Sequence, residues 1–187
     1  RNAKGIEFRN FAIMNCLDDA LSLDTQNQHV WIHNMDFFYG QAGGDKDQAK
    51  GDGTVDLKGK SQYITIAYNR SWDSGKSSLC GMKSESNENW ITYHHNWFDH
   101  SDSRHPRIRT MSVHVYNNYF DGNSKYGVGA TSGSSAFVES NYFRNAKDPM
   151  MISGQGTDAK GDGTFSGETG GMIKEYGNIF AEKSRKF

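Results

Sequence analysis

A short strand pattern that closes on asparagine returns along this chain at uneven intervals, and few folds accommodate it. The copies are "ITIAYNRSW" from Ile64, "ITYHHNWFD" from Ile91, "VHVYNNYFD" from Val113, "FVESNYFRN" from Phe137 and "IKEYGNIFA" from Ile173. Each alternates apolar and polar residues, then presents Asn followed by an aromatic or apolar residue. The asparagines are Asn69, Asn96, Asn118, Asn141 and Asn178, spaced by 27, 22, 23 and 37 residues. Two weaker copies, "IEFRNFAI" from Ile6 and "VWIHNMDF" from Val30, carry Phe11 and Met35 at the asparagine position.

Alternation of period two is the signature of strands. Repeated every 22 to 37 residues with insertions of varying length, it fits a parallel β-helix better than a sandwich of hairpins. The Leu-x-x-Leu-x-Leu signature and helical segments of leucine-rich repeats are absent, and a propeller needs longer units with several strands each. The expectation is an all-β, right-handed parallel β-helix of about seven coils, forming one domain over residues 1–187. Ile64 and Ile66, Ile91 and Tyr93, and Val113 and Val115 then point inward. Asparagine suits the turn for two reasons: it tolerates left-handed backbone geometry, and stacked carboxamides can hydrogen-bond from rung to rung. His94 and His95 fall in the same turn and read as structural.

Composition agrees with short strands and tight turns: 21 glycines, only two prolines, and recurrent Asn, Asp, Ser and aromatic residues. Lys and Arg number 21 against 22 Asp and Glu, so no overall field gathers nucleic acid or an anionic membrane. Any cationic site must be local. No apolar run approaches the length of a membrane span, and no basic-then-apolar leader opens the chain. Cys16 and Cys80 lie outside any CxxC motif and decide nothing about compartment.

Equivalent positions of a β-helix stack ~4.8 Å apart, so the polar residues preceding each repeat strand can be read rung by rung. Before Val30 stand Asp18 and Asp19; before Ile64, "GDGTVDLKGK" supplies Asp52 and Asp56; before Ile91, "SGKSSLCG" supplies Lys76. Before Val113, "SRHPRIRT" supplies Arg104, Arg107 and Arg109. Four rungs thus run acid, acid, lysine, arginine over only ~15 Å. Singly, each charge reads as the cover of a solvated turn, and "GDGT" recurs at Gly161 to Thr164 with no site evident around it. Asp56 differs, because "TVDLK" places it within strand alternation. Clustered carboxylates from separate coils repel unless a cation lies between them, and hard oxygen ligands favour Ca²⁺. Lysine and arginine beside them suit an anionic ligand, arginine especially for planar carboxylates. A zinc site from His94, His95, His100, His105 and His114 lacks both HExxH and a Cys/His framework.

At these residues the chain resembles the polysaccharide lyase family 1 pectate lyases. The similar block runs from about Asp19 to Phe143 and includes "DALSL", "VWIHNMDF", "DGTVDLKGKSQYITIAYN", "GKSSLCG", "ITYHHNWF", "RHPRIR" and "VHVYNNYF". The resemblance implies a right-handed parallel β-helix that binds Ca²⁺ through Asp19, Asp52 and Asp56. It implies that Lys76 and Arg109 hold substrate carboxylate, and that Arg104, first arginine of the "RxPxxR" motif, is the catalytic base. Arg107 receives no role by this route. The chain departs from the family at His33 and Asn34, where Asp-His is usual after "VWI", and at Leu17, where some members carry a further calcium aspartate. The family's enzymes are longer, so the chain resembles a central portion of one.

The activity implied is cleavage of polygalacturonate by β-elimination: a base removes the C5 proton α to the carboxylate, and the C4 glycosidic oxygen leaves. The implied partner is a polygalacturonate or pectin oligosaccharide, met by a secreted monomer, extracellular or periplasmic, with no nucleic acid and no membrane. Free arginine has a pKa above 12, so Arg104 can serve as base only where neighbouring cations depress it. Two other readings stand beside this one: a pectin lyase acting on methyl-esterified substrate without calcium, and a non-catalytic β-helix that binds acidic polysaccharide.

Overall fold

A computed structural model describes residues 1–38, 50–82, 85, 88–153 and 168–184. The described residues form twenty strands and no helix. All strand pairing within the three sheets is parallel, and each strand pairs with its counterpart in the adjacent coil or coils. The first sheet stacks Lys4–Arg9, Gln28–His33, Gln62–Ala67, Ile91–His94, Ser112–Tyr116, Ser135–Glu139 and Met172–Tyr176. The second stacks Ala12–Ile13, Asp36–Phe38, Arg70–Trp72, Trp97–Asp99, Tyr119–Asp121, Tyr142–Arg144 and Ile179–Ala181. The third stacks Leu21–Leu23, Val55–Leu57, Ser78–Cys80, Arg107–Arg109, Tyr126–Thr131 and Asp148–Ile152. This is a right-handed parallel β-helix, and its seven-strand sheets match the seven copies of the repeat.

The inward positions read from the repeat are the core. Ile64, Ile66, Ile91, Tyr93, Val113 and Val115 are all buried and belong to one continuous apolar cluster. The position two residues after Asn96, Asn118, Asn141 and Asn178 builds an aromatic column in the second sheet, with Ser71 at the matching position after Asn69. Phe98, Phe120, Phe143 and Phe180 follow one another at ring-centroid distances of 5.0, 4.3 and 5.5 Å. Tyr93 is buried with its hydroxyl 2.7 Å from Ser78 Oγ and 3.1 Å from Cys80 Sγ, so its polar end is satisfied inside the core. Cys16 and Cys80 are free thiols.

The asparagines form an unbroken ladder between the first two sheets. Nδ2 of Asn69, Asn96, Asn118 and Asn141 donates to Oδ1 of the next asparagine at 3.1, 3.0, 3.0 and 2.9 Å, ending on Asn178. The same oxygens accept the backbone N–H of the preceding asparagine at 2.9 to 3.1 Å. Left-handed geometry falls elsewhere: the residue before the asparagine takes positive φ, 57° at Tyr68, 54° at His95, 53° at Asn117, 54° at Ser140 and 61° at Gly177. Of the two reasons for asparagine here, carboxamide stacking is therefore the operative one. His95 is itself one of these corner residues. The second "GDGT", at 161–164, lies outside the described residues.

Candidate active site

Turns leading into the third sheet lie one above another. Ala20 N–H donates to Gly53 carbonyl at 3.0 Å, Thr54 to Ser77 at 2.6 Å, Ser77 to Ser103 at 2.9 Å and Ser78 to Arg104 at 2.7 Å. Residues 18–20, 52–54, 76–77 and 103–104 are successive rungs, so acid, acid, lysine and arginine keep in space the order they have in the sequence.

The acidic half is dense. Carboxylate oxygens of Asp18, Asp19 and Asp52 all lie within 4.8 Å of one another. Asp56 occupies the outward position of Val55–Leu57, between inward Val55 and Leu57, yet is only 2% exposed. One of its oxygens accepts the Leu79 N–H at 3.0 Å. Asp19 and Asp56 face each other across Gly53, where a Cβ would stand 2.8 Å from an Asp19 oxygen and 2.5 Å from an Asp56 oxygen. Glycine at 53 is therefore what lets the carboxylates converge. Burial, and then the charge of Asp19, raises the Asp56 carboxyl to about 7; burial, followed again by Asp19, also raises Asp52. Lys58 answers part of this excess charge, its Nζ lying 2.8 Å from Asp19 and 3.4 Å from Asp56.

These donors fit a hard divalent cation. Asp18, Asp19, Asp52 and Asp56 are all carboxylates, with neither thiolate nor imidazole among them, and their mutual repulsion is relieved by positive charge placed between them. An ammonium group, that of Lys58, already bridges two of the four.

The basic half begins at Lys76, which is 5% exposed, with its Nζ 4.0 Å from Asp52. Burial foremost, then the charge of Arg104, lowers its ammonium to about 8. Arg104 is half-buried, at a left-handed corner with φ 63°. Among the described residues its guanidinium forms no ion pair with a carboxylate, unlike Arg107 and Arg109, which both hold Glu168, at 3.2 and 2.9 Å. Burial would raise the Glu168 carboxyl, but hydrogen bonds from Arg109 and Thr131 and the charge of Arg107 bring it down to about 2. Arg107, without a role in the sequence reading, is thus buried beside Arg109 on the same carboxylate.

Two members of this neighbourhood, Lys58 and Glu168, escaped the sequence reading. Lys58 stands two residues after Asp56, so strand alternation alone puts both side chains on one face. Asp18, which the sequence places beside Asp19 before Val30, is brought by the turn geometry to both Asp19 and Asp52. Glu168 carries no signal, standing 59 residues beyond Arg109. The histidines have other partners: His105 is buried against Phe98, His100 pairs with Asp99, and His94 and His95 contact each other at 2.8 Å. A second acidic cluster, Asp99, His100 and Asp121, is explained by Arg70 and Arg144, each 2.6 Å from one of the aspartates.

A parallel β-helix with a carboxylate cluster giving way to lysine and arginine along one face defines the class. The sequence profile of a family described as pectate lyase matches residues 10–179, and the chain belongs to that family. It is 36% identical over 134 residues to a pectate trisaccharide-lyase of Bacillus licheniformis, covering 71% of this chain and 38% of the relative. It is 35% identical over 138 residues to pectate lyase 3 of Pectobacterium carotovorum, covering 71% of this chain and 36% of the relative. The fold superposes with a TM-score of 0.77 and 28% identity on a pectate lyase from Bacillus sp. N165, solved in complex with trigalacturonate, over 96% of this chain and 57% of that one. The chain spans less than two fifths of the length of these curated relatives.

Proposed function

We propose that this chain is the catalytic β-helix portion, a single domain over residues 1–187, of a secreted, calcium-assisted pectate lyase that cleaves polygalacturonate by β-elimination. The observation that carries this reading is the stripe itself, four carboxylates followed on the next rungs by Lys76, Arg104 and Arg109. A uronate polymer lying along it meets cation-binding oxygens first and carboxylate-binding nitrogens next.

In this reading Asp19, Asp52 and Asp56, joined by Asp18, hold Ca²⁺. When bound there, calcium supplies charge neutralisation of the substrate carboxylate, which acidifies the neighbouring C5 proton. Lys76 and Arg109 grip carboxylates from the other side, and their hold tightens as negative charge builds up during proton removal. Arg104 takes the C5 proton. Its guanidinium is the one in the "RHPRIR" segment without a carboxylate partner among the described residues, and Lys76 and Arg107 stand close enough to feel its charge.

Substrate choice and base are tested together. With calcium present, unsaturated product should form from unesterified polygalacturonate and far less from fully methyl-esterified pectin. Arg104→Lys should lose at least about a hundredfold in kcat, the scale of a general base. Faster turnover on the ester would favour a pectin lyase, undiminished turnover by the variant would remove Arg104 from the base role, and binding without product would leave a polysaccharide-binding β-helix.

A further inference from the structure

Glu168 lies outside the stripe, yet its carboxylate is heavily hydrogen-bonded beside it. Arg109 Nε donates to its two oxygens at 3.0 and 3.1 Å, and Arg109 Nη2 lies 2.9 Å from Oε1. Arg107 Nη2 is 3.2 Å from Oε1, while Thr131 and Ser132 hydroxyls donate to Oε2 at 2.7 and 3.1 Å. Two guanidinium groups and two hydroxyls converging on one planar anion is the arrangement by which proteins recognise a carboxylate.

Its manner of arrival matters as much. Residues 168–171 are not a rung of the helix: Thr131 and Gly170 form an antiparallel bridge, against the parallel pairing of the sheets. Ser132 N–H donates to Thr169 carbonyl at 2.6 Å, Gly133 to Gly170 at 3.0 Å and Gly171 to Ala130 at 3.2 Å. The Arg107–Arg109 backbone, by contrast, is fixed by pairing with strands on both sides. Arg109 is thus held on its rung whether or not Glu168 is present. The Glu168 side chain is 28% exposed and that of Arg109 16%, so another anion can reach the seat from solvent.

We infer that Glu168 is a built-in occupant of a carboxylate subsite formed by Arg107, Arg109, Thr131 and Ser132, and that a uronate must displace it to bind there. The inference rests on the proposed role of Arg109 as a substrate clamp and adds Arg107, Thr131 and Ser132 to that clamp. It makes Glu168 a determinant of affinity: the substrate carboxylate gains the subsite only by what it binds better than the resident one.

The test is trigalacturonate binding by calorimetry, with calcium present throughout, alongside steady-state elimination. Glu168→Gln keeps the shape and removes the charge. It should bind trigalacturonate about three- to tenfold more tightly, the scale of a partly exposed ion pair, and lower KM by the same factor with kcat within about twofold. Glu168→Asp keeps the charge but withdraws it, and should fall between wild type and Gln. Should Gln fail to fold, Asp decides alone: tighter binding than wild type supports the inference, and equal or weaker binding overturns it. Wild type that binds, paired with a folded Glu168→Gln that binds equally or less well, overturns the inference and makes Glu168 a support for Arg109. Wild type that does not bind, or binding undiminished by Arg109→Ala, removes the clamp itself and the inference with it.

Discussion

At single positions, chemistry is decided by what one atom more or less would do. Gly53 stands where Asp19 and Asp56 meet, and a methyl group there would fall 2.8 and 2.5 Å from their oxygens. Gly53→Ala should push the carboxylates apart and weaken calcium binding at least about tenfold by isothermal titration, a loss of about 1.4 kcal/mol. Unaltered affinity would move the cation away from this pair. His105 makes a different prediction. Burial above all lowers its pKa to about 4, despite its Nδ1 contact with the Tyr126 carbonyl at 2.8 Å. An imidazole in the unfolded chain takes its proton near 6.5. Between these values the unfolded state binds more protons, so stability is lost as pH falls from about 6.5 through about 4, on the order of 3 kcal/mol in all. Urea unfolding at pH 7 and pH 4.5 should show wild type losing stability relative to His105→Asn; parallel losses would contradict the account. Such residues differ in how legible they were. Asp19, Asp52 and Asp56 could be read because each heads or lies within a recognisable strand, whereas Gly53 looked like ordinary turn chemistry until the atoms around it were placed.

Among the strands and turns, the asparagine ladder is the feature most fully legible beforehand, because it is periodic. Asn118 shows what it contributes. Its carboxamide donates to Tyr93, Tyr116 and Asn141 and accepts from the backbone and side chain of Asn96, all at 2.9 to 3.0 Å. Asn118→Ala leaves these buried partners unsatisfied and should destabilise the chain by on the order of 3 kcal/mol, seen as a lower urea midpoint. A change below about half a kilocalorie would show that the ladder merely accompanies the stacking of Phe98, Phe120 and Phe143. The corner geometry was not legible in the same way. Tyr68, His95, Asn117, Ser140 and Gly177 share a left-handed backbone but no residue type, since stacked coils dictate the conformation and sequence preference yields to it. Glu168 was invisible for a related reason: an antiparallel excursion brings it to Arg109, and repeat periodicity says nothing about excursions.

Over the whole chain, the solenoid converts sequence order into an electrostatic order along one face, with too much negative charge at one end and too much positive charge at the other. Calcium should therefore stabilise as well as activate. At a hundred times its Kd it should add about 2.7 kcal/mol and raise the unfolding temperature by roughly 5–10 °C for a chain of this size, an effect that Gly53→Ala should diminish. The same arrangement is the basis of the proposed chemistry, and the most direct measurement is the ultraviolet absorbance of unsaturated product when the chain is mixed with polygalacturonate. The account predicts steady formation of that product with calcium, its disappearance on adding a chelator, and its return when calcium is restored. Product formed at the same rate in chelator would contradict it, and so would a calcium-loaded chain that binds polygalacturonate and leaves it whole.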